Sequence, residues 1–302
     1  MIILPGAPER AGRAGHIRLP QEHSVKTREN TMYKIIASDL DETLLSRDTR
    51  RVSERNLEAI RRASEMGVKF VPASGRGYAT IQGTLEELGL RDKENEYIIS
   101  FNGGAITENK NNRRLFFKGI TYEKMKMIFD AGLSYDVCTH IYTDDTVYIY
   151  NINEGEKKFL WHRMDYVPIR KEEIQMLADK PLAKILFQNT DVRYLEKIAK
   201  DLEPITGDTF VSYSSNRYVE FNQQGVNKGQ GLLRLAEILG VDPKDTIAIG
   251  DNDNDLTMIQ AAGLGCCVSN ATEAVKKNSD YIAGADCDEG GVAEIIEKFV
   301  LQ

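Results

Sequence analysis

Cysteine, tryptophan and histidine are scarce in this chain, and it has no long apolar run. Its 302 residues hold four cysteines, Cys138, Cys266, Cys267 and Cys287. None forms a Cys-x-x-Cys pair or stands at zinc-site spacing to a histidine, which excludes the common structural zinc centres. A chain of this length needs no disulfide framework, so the cysteines suit a reducing cytoplasm. Cys266 and Cys267, inside an apolar run, read as small core residues. No stretch approaches the roughly 20 apolar residues of a membrane helix. Met1–Pro5 is too short and too lightly charged to be a signal peptide. Positive charge is not in excess either: 39 Lys and Arg against 46 Asp and Glu leave a net charge of −7, which argues against general nucleic-acid binding.

What is present is an ordinary globular composition, 41% hydrophobic and 28% charged, on a length sufficient for one large core or two domains. Residues 1–31 differ in texture. They carry Gly6, Gly12, Gly15, Pro5, Pro8 and Pro20 and no sustained period. They read as a disordered extension, or as the product of an upstream start codon with Met32 as the natural start.

From Tyr33 the chain alternates. Tyr33–Ser38 is a short apolar run that ends in acid. Residues 53–66 read as a helix, with Ser53 as N-cap, Leu57, Ile60 and Ala63 on one face, and Gly67 as the stop. Val68–Val71 reads as a strand, a helix follows to about Leu88, and Tyr97–Phe101 reads as a third strand. The alternation resumes near Tyr218: a helix Gly229–Leu239 after Lys228, a strand Thr246–Ile249, a short helix Asp255–Ala262, strands Leu264–Val268 and Tyr281–Ala283, and a last helix Val292–Phe299. This is the pattern of an α/β fold, a Rossmann-like doubly wound parallel sheet. The stretch 113–217 is different. It carries most of the tyrosines and mixes strands (Val147–Tyr150, Lys184–Phe187) with helices (121–131, 170–178, 191–201). The expected organisation is therefore a core of 32–112 and 218–302 with a second α+β domain, 113–217, inserted into it.

Four groups of polar residues fall at the carboxyl ends of core strands or just beyond, the edge where open α/β sheets bind ligands. In Asp39-Leu40-Asp41-Glu42-Thr43, two carboxylates one residue apart can share a site. One can attack phosphorus while the other exchanges protons with the leaving oxygen and with water. Thr43 can tie the turn with its hydroxyl. Ser74 and the Gly75 N–H can hold a phosphoryl oxygen, although a serine there also suits a helix N-cap. Lys228 can neutralise phosphate and keep a carboxylate ionised. Asp251, Asp253 and Asp255 lie within five residues and repel one another unless a cation is near. Their oxygens suit Mg²⁺, and the run lacks the glycine and closing glutamate of an EF-hand.

Taken in this order, the four motifs resemble those of the haloacid dehalogenase superfamily. Asn102-Gly103-Gly104, Val226-Asn227-Lys228-Gly229 and Ala262-Gly263-Leu264-Gly265 leading to Asn270-Ala271 extend the similarity over about 33–300. The position of the insert is similar to that of the second type of cap, and the branch resembled is the Cof-like group of sugar-phosphate and small-metabolite phosphatases. The resemblance implies a Mg²⁺-dependent phosphatase acting on small phosphorylated metabolites; the charge, the lack of a long apolar run and the cysteine usage add the expectation of no nucleic-acid or membrane partner and a cytoplasmic setting. It implies Asp39 as nucleophile and metal ligand. Asp41 becomes the acid/base, with its backbone carbonyl on the metal. Asp251 is a metal ligand, and Asp255 supports the metal directly or through another ligand. Leu40, Ser74, Gly75, Lys228 and Asn254 hold the phosphate. Two positions depart from the family pattern. Glu42 stands where Gly or Asp is frequent, and Ser74 where Thr is frequent; the second keeps its hydroxyl.

Two other functions fit the same motifs. A phosphosugar mutase would return the phosphoryl group to substrate under a cap that excludes water. A non-catalytic phosphometabolite-binding protein would have lost a catalytic acid, whereas Asp39 and Asp41 are both present. In the insert, His140, Tyr142, Tyr148, Trp161 and Arg217 read as packing residues sooner than ligand contacts, and His140 and His162 as structural histidines.

Overall fold

Apolar strands without alternation suit a parallel sheet covered on both faces, and the first strand has that pattern. In the computed structural model, which describes residues 33–161 and 163–302, Ile35–Ser38 is buried throughout. The expected extension at 1–31, a start at Met32, and His162 lie outside the described residues. Ile35–Ser38 sits inside a five-stranded parallel sheet between Lys69–Pro72 and Thr246–Gly250, followed outward by Leu264–Cys267 and Tyr281–Ile282. Its neighbour Thr246–Gly250 lies more than 200 positions further along the chain. Here strand order reverses, which is where such sheets open a crevice.

Successive side chains point to opposite faces of the sheet. Ile36, Phe70, Ile247 and Ile249 pack into one core on one face, and Ile35, Ala37, Val71 and Ala248 into another on the opposite face. Helices cover both. Glu54–Glu65 starts at Ser53, whose side chain accepts the Asn56 N–H. Lys228–Leu239 starts at Asn227, which accepts the Gln230 N–H, and ends at Gly240 in the left-handed region (φ 64°).

The second layer is a six-stranded sheet ordered Thr209–Ser214, Tyr218–Gln223, Leu182–Gln188, Cys138–Thr143, Val147–Tyr150, Val167–Pro168. Helices Tyr122–Gly132 and Val192–Asp201 supply residues to its own core, which includes Ile128, Phe129, Ile141, Phe187, Leu195 and Phe221. A smaller cluster with Phe101, Tyr142, Leu186 and Tyr218 joins this sheet to the region around the parallel one.

Three elements differ from the sequence reading. Tyr97–Ser100 does not extend the parallel sheet as a full strand. It heads a three-stranded antiparallel sheet with Ala105–Glu108 and Arg113–Phe117, and touches the parallel sheet through the Ala73–Ile99 bridge. The cause is local: Asn102 (φ 54°) and Gly103 (φ 92°) take left-handed backbone, which reverses the chain at once. Tyr218–Gln223, expected in the core, pairs antiparallel with Leu182–Gln188 and Thr209–Ser214. A tight turn with Ser215 (φ 52°) and Asn216 (φ 47°) folds it back onto its predecessor, so the insert's sheet runs on to Gln223. The expected helix over 170–178 is a 3₁₀ segment, Lys171–Leu177.

Two glycines permit the close approach of elements on which the site is built. A Cβ at Gly103 would lie 2.2 Å from the Asn227 carbonyl oxygen, and one at Gly229 would lie 2.2 Å from that of Thr257. The first contact seats the Asn102 turn on the start of the Lys228 helix; the second packs that helix against Leu256–Ala261. Gly103→Ala should therefore cost about 1–3 kcal/mol from overpacking and from its positive φ. Urea unfolding of the variant beside the parent checks this, and a variant of unchanged stability would contradict the packing described.

Candidate active site

Parallel neighbours end side by side, so the residues just past the two central strands must meet. Asp39 follows Ile35–Ser38 and Asp251 follows Thr246–Gly250. The Asp39 N–H donates to the Ile249 carbonyl at 2.9 Å. Beyond Asp39 the chain turns tightly: the Leu40 carbonyl accepts the N–H groups of Leu44 (3.1 Å) and Leu45 (2.8 Å). The turn brings Thr43 back so that its Oγ1 donates to Asp251 Oδ1 at 2.6 Å. Thr43 thus ties the first acidic loop to the second.

Lys228, the first residue of its helix, is wholly buried beneath these loops. Its Nζ donates to Asp39 Oδ1 at 2.5 Å and to Asp255 Oδ1 at 2.6 Å. The other Asp255 oxygen accepts the N–H groups of Asp251 (3.0 Å) and Asn252 (3.1 Å). Asp255 is therefore engaged through both oxygens and fixes the loop, while Asp39 and Asp251 retain free acceptor capacity.

The electrostatics follow from burial. Desolvation pushes the Asp39 carboxyl up to about 7, with Lys228 opposing and Asp255 and Asp41 adding to the rise. Desolvation, Asp39 and Asp255 push Asp251 up to about 8, against the Thr43 hydrogen bond. Burial disfavours the Lys228 charge, but Asp255 and Asp39 outweigh it and hold the ammonium above its usual range. One lysine thus faces three carboxylates. One oxygen from each of Asp39, Asp251 and Asp255 lies within 4.8 Å of the others. Hard oxygen donors, few in number and with excess negative charge, fit Mg²⁺.

Ser74 lies two residues past Lys69–Pro72. Its N–H donates to the Ile99 carbonyl at 2.9 Å and its Oγ accepts the Arg76 N–H at 3.1 Å. The Asn254 amide reaches Asn102 Oδ1 at 3.4 Å, beside Gly75. Asp39, Asp41, Ser74, Gly75, Asp251 and Asn254 line one cavity of about 410 Å³ roofed by the second sheet. Leu40, Lys228 and Asp255 stand behind its wall, fully buried. The Asp41 side chain is partly exposed, and both Arg50 and Arg76 donate to its Oδ1.

Sequence reasoning missed the contacts from the roof. Lys184 donates to the Gly75 carbonyl at 2.9 Å and pairs with Glu220 at 2.5 Å. Glu220 also accepts from Asn102 at 3.0 Å and from Ser214 at 2.5 Å. A charge in the middle of an otherwise apolar buried strand was the available signal at both positions. Arg76, directly after Ser74-Gly75, was also legible as a cation at a strand end. Among the five aromatic and basic residues weighed in the insert, Tyr142 lines the cavity. Tyr148 packs in the insert's core, His140 is fully buried, Arg217 pairs with Glu156 at 2.7 Å, and Trp161 is 73% exposed.

Paired acids and a lysine at the switch point of a parallel sheet, under an inserted antiparallel sheet, define a hydrolase of phosphoryl groups. The chain belongs to the haloacid dehalogenase-like hydrolase family, which matches residues 36–296, and it is a phosphoric monoester hydrolase. A haloacid dehalogenase-like hydrolase from Bacteroides thetaiotaomicron is 30% identical, with a TM-score of 0.77, over 88% of this chain and 99% of its own. The 5-amino-6-(5-phospho-D-ribitylamino)uracil phosphatase YcsE of Bacillus subtilis is 29% identical over 91% of this chain and 98% of its own. A sugar phosphatase of subclass IIB shares the fold, at a TM-score of 0.78 and 23% identity, over 89% of this chain and all of its own.

The raised carboxyls set a pH dependence. Without metal, the folded protein holds protons at Asp39 and Asp251 that the unfolded chain releases near 3.8. That stability is complete below the unfolded value and is lost as pH rises through about 7 and 8. Metal needs the deprotonated carboxylates, so its effect runs the other way. In chelator the melting temperature should fall between about pH 5 and about pH 8, and saturating Mg²⁺ should raise it more at the higher pH. An equal or larger Mg²⁺ shift at the lower pH would contradict the buried acidic cluster.

Proposed function

We propose that the protein is a Mg²⁺-dependent phosphatase of small phosphorylated metabolites, sugar phosphates foremost, working through an aspartyl-phosphate on Asp39. The observation that carries this reading is the Lys228–Asp39 contact beside Asp251, with a second carboxylate, Asp41, two residues on. An Asp39 oxygen attacks phosphorus as the bond to the leaving oxygen breaks, and Asp41 gives that oxygen a proton. Water then attacks the phosphorus of the aspartyl-phosphate and passes a proton to Asp41, while the bond to Asp39 breaks and inorganic phosphate leaves.

Arg50 and Arg76 hold Asp41 through Oδ1, which leaves Oδ2 for the proton exchange. Lys228 favours the ionised nucleophile. Ser74, Gly75, Asn254 and the Leu40 backbone hold the phosphoryl oxygens, so that positioning and charge stabilisation do most of the catalysis. Asp39, Asp251 and the Asp41 carbonyl, on a loop fixed by Asp255, would hold Mg²⁺, which would supply positive charge for those oxygens.

Ser214, Ser215, Asn216 and Glu220 on the cavity wall offer partners to a hydroxyl-bearing leaving group, in keeping with the phosphoribityl compound named for the Bacillus subtilis relative. A cytoplasmic setting accords with four unpaired, buried cysteines. Among the described residues no helix is long and apolar enough to cross a membrane.

Phosphate release from a panel of sugar and cofactor monoesters, with Mg²⁺ and with chelator, tests the reading, and inorganic phosphate as product separates it from a mutase. Asp39→Asn should keep the fold and lose on the order of 10⁴-fold or more in turnover. Near-normal turnover in that variant would rule out the covalent route.

A further inference from the structure

Two of the five cations on the cavity wall have an anion of their own. Lys184 is matched by Glu220, and Arg47 by Asp286 and Asp288. Three guanidiniums remain, those of Arg50, Arg76 and Arg163. Arg50 and Arg76 share one oxygen of Asp41. Arg163 comes from the cap and stacks on Phe159, its guanidinium carbon 3.9 Å from the ring centroid. Arg217 stacks on the same ring at the same distance, but Arg217 is paired with Glu156. Arg163 has no ion-pair partner among the described residues. Burial and the charges of Arg50 and Arg76 push its pKa below the usual arginine range, with Asp41 opposing. Glu42 also lines the cavity, but it is exposed and forms no ion pair with the three arginines.

The placement of this excess is informative. Arg50 and Arg76 donate to Asp41, whereas Asp39 is held by Lys228, and Arg163 lines the same cavity, so the excess charge gathers on the Asp41 side. That is the side of the proton donor, where the leaving group must lie. Three guanidiniums against one carboxylate repel one another unless an anion joins them. A guanidinium offers a planar fork suited to carboxylate or phosphate oxygens.

We propose that Arg163, together with Arg50 and Arg76, forms a subsite for a second anionic group, a carboxylate or phosphate, on the leaving group of the substrate. The inference rests on the phosphatase reading above and narrows its substrate class to phosphomonoesters of acidic metabolites.

The experiment compares kcat/KM for glucose 6-phosphate, 6-phosphogluconate and fructose 1,6-bisphosphate in Mg²⁺. For a compound that is not turned over, its inhibition constant against p-nitrophenyl phosphate replaces kcat/KM. At least one of the two acidic compounds should be favoured over glucose 6-phosphate by roughly tenfold to a hundredfold, the range of one or two charge-assisted hydrogen bonds. Which of them is favoured tells carboxylate from phosphate. Arg163→Gln should lower that ratio about tenfold, and Arg163→Lys, which keeps the charge, should lower it less. Equal use of neutral and acidic compounds would overturn the subsite, as would a ratio unchanged in Arg163→Gln. Mg²⁺-dependent release from p-nitrophenyl phosphate, lost in Asp39→Asn, shows in the same assay that the phosphatase reading stands; its absence removes both.

Discussion

The fully buried ammonium of Lys228 is the contact on which the rest of the site depends. It joins Asp39, from the loop after Ile35–Ser38, to Asp255, from the loop after Thr246–Gly250. Three carboxylates crowd a desolvated space, and an unpaired charge there would be expensive. The lysine meets part of that cost. The backbone amides of Asp251 and Asn252 and the Thr43 hydroxyl meet more of it. What remains is a deliberate shortage of positive charge at the cavity floor. Burial together with this imbalance raises the carboxyls of Asp39 and Asp251, and the cluster could hold a metal ion.

A second buried pair links the chemistry to the cap. Lys184 and Glu220 lie on neighbouring strands of the cap sheet, with Ile185 opposite Phe221 in the register between them. Their polar ends reach down to Gly75 and Asn102, on two core turns at the cavity. A cap positioned by these contacts holds the turns in place while it covers them. The same two contacts therefore place the roof and brace the turns that carry Gly75 and Asn102. Phe101 against Tyr142, ring centroids 6.4 Å apart, adds an apolar contact at the same seam.

The catalytic floor was legible in the sequence because each of its residues sits immediately after a short apolar run or at a helix start, positions that topology alone brings together. Asp39, Ser74, Lys228 and Asp251 could be placed from that pattern without knowing a single contact. The cap was less legible for a physical reason. In an antiparallel sheet the partner of a strand is chosen by turns and register, so Tyr218–Gln223 read equally well as a core strand until Ser215 and Asn216 were seen to fold it back. Tyr97–Ser100 misled in the same way, because the left-handed backbone at Asn102 and Gly103 decides its partners. Arg163 carried no signal of its own: its meaning comes from Arg50 and Arg76, more than 80 positions away and brought to the same cavity by folding.

The two large sheets keep separate hydrophobic interiors, one pair of clusters around the parallel sheet and one inside the cap. Substitutions distant from one another, with no shared partners, act nearly independently. Changes inside the cap can therefore accumulate without disturbing the strand ends that carry Asp39 and Asp251. A chain built on this plan can be fitted to a different metabolite by rewriting the roof while the floor stays as it is.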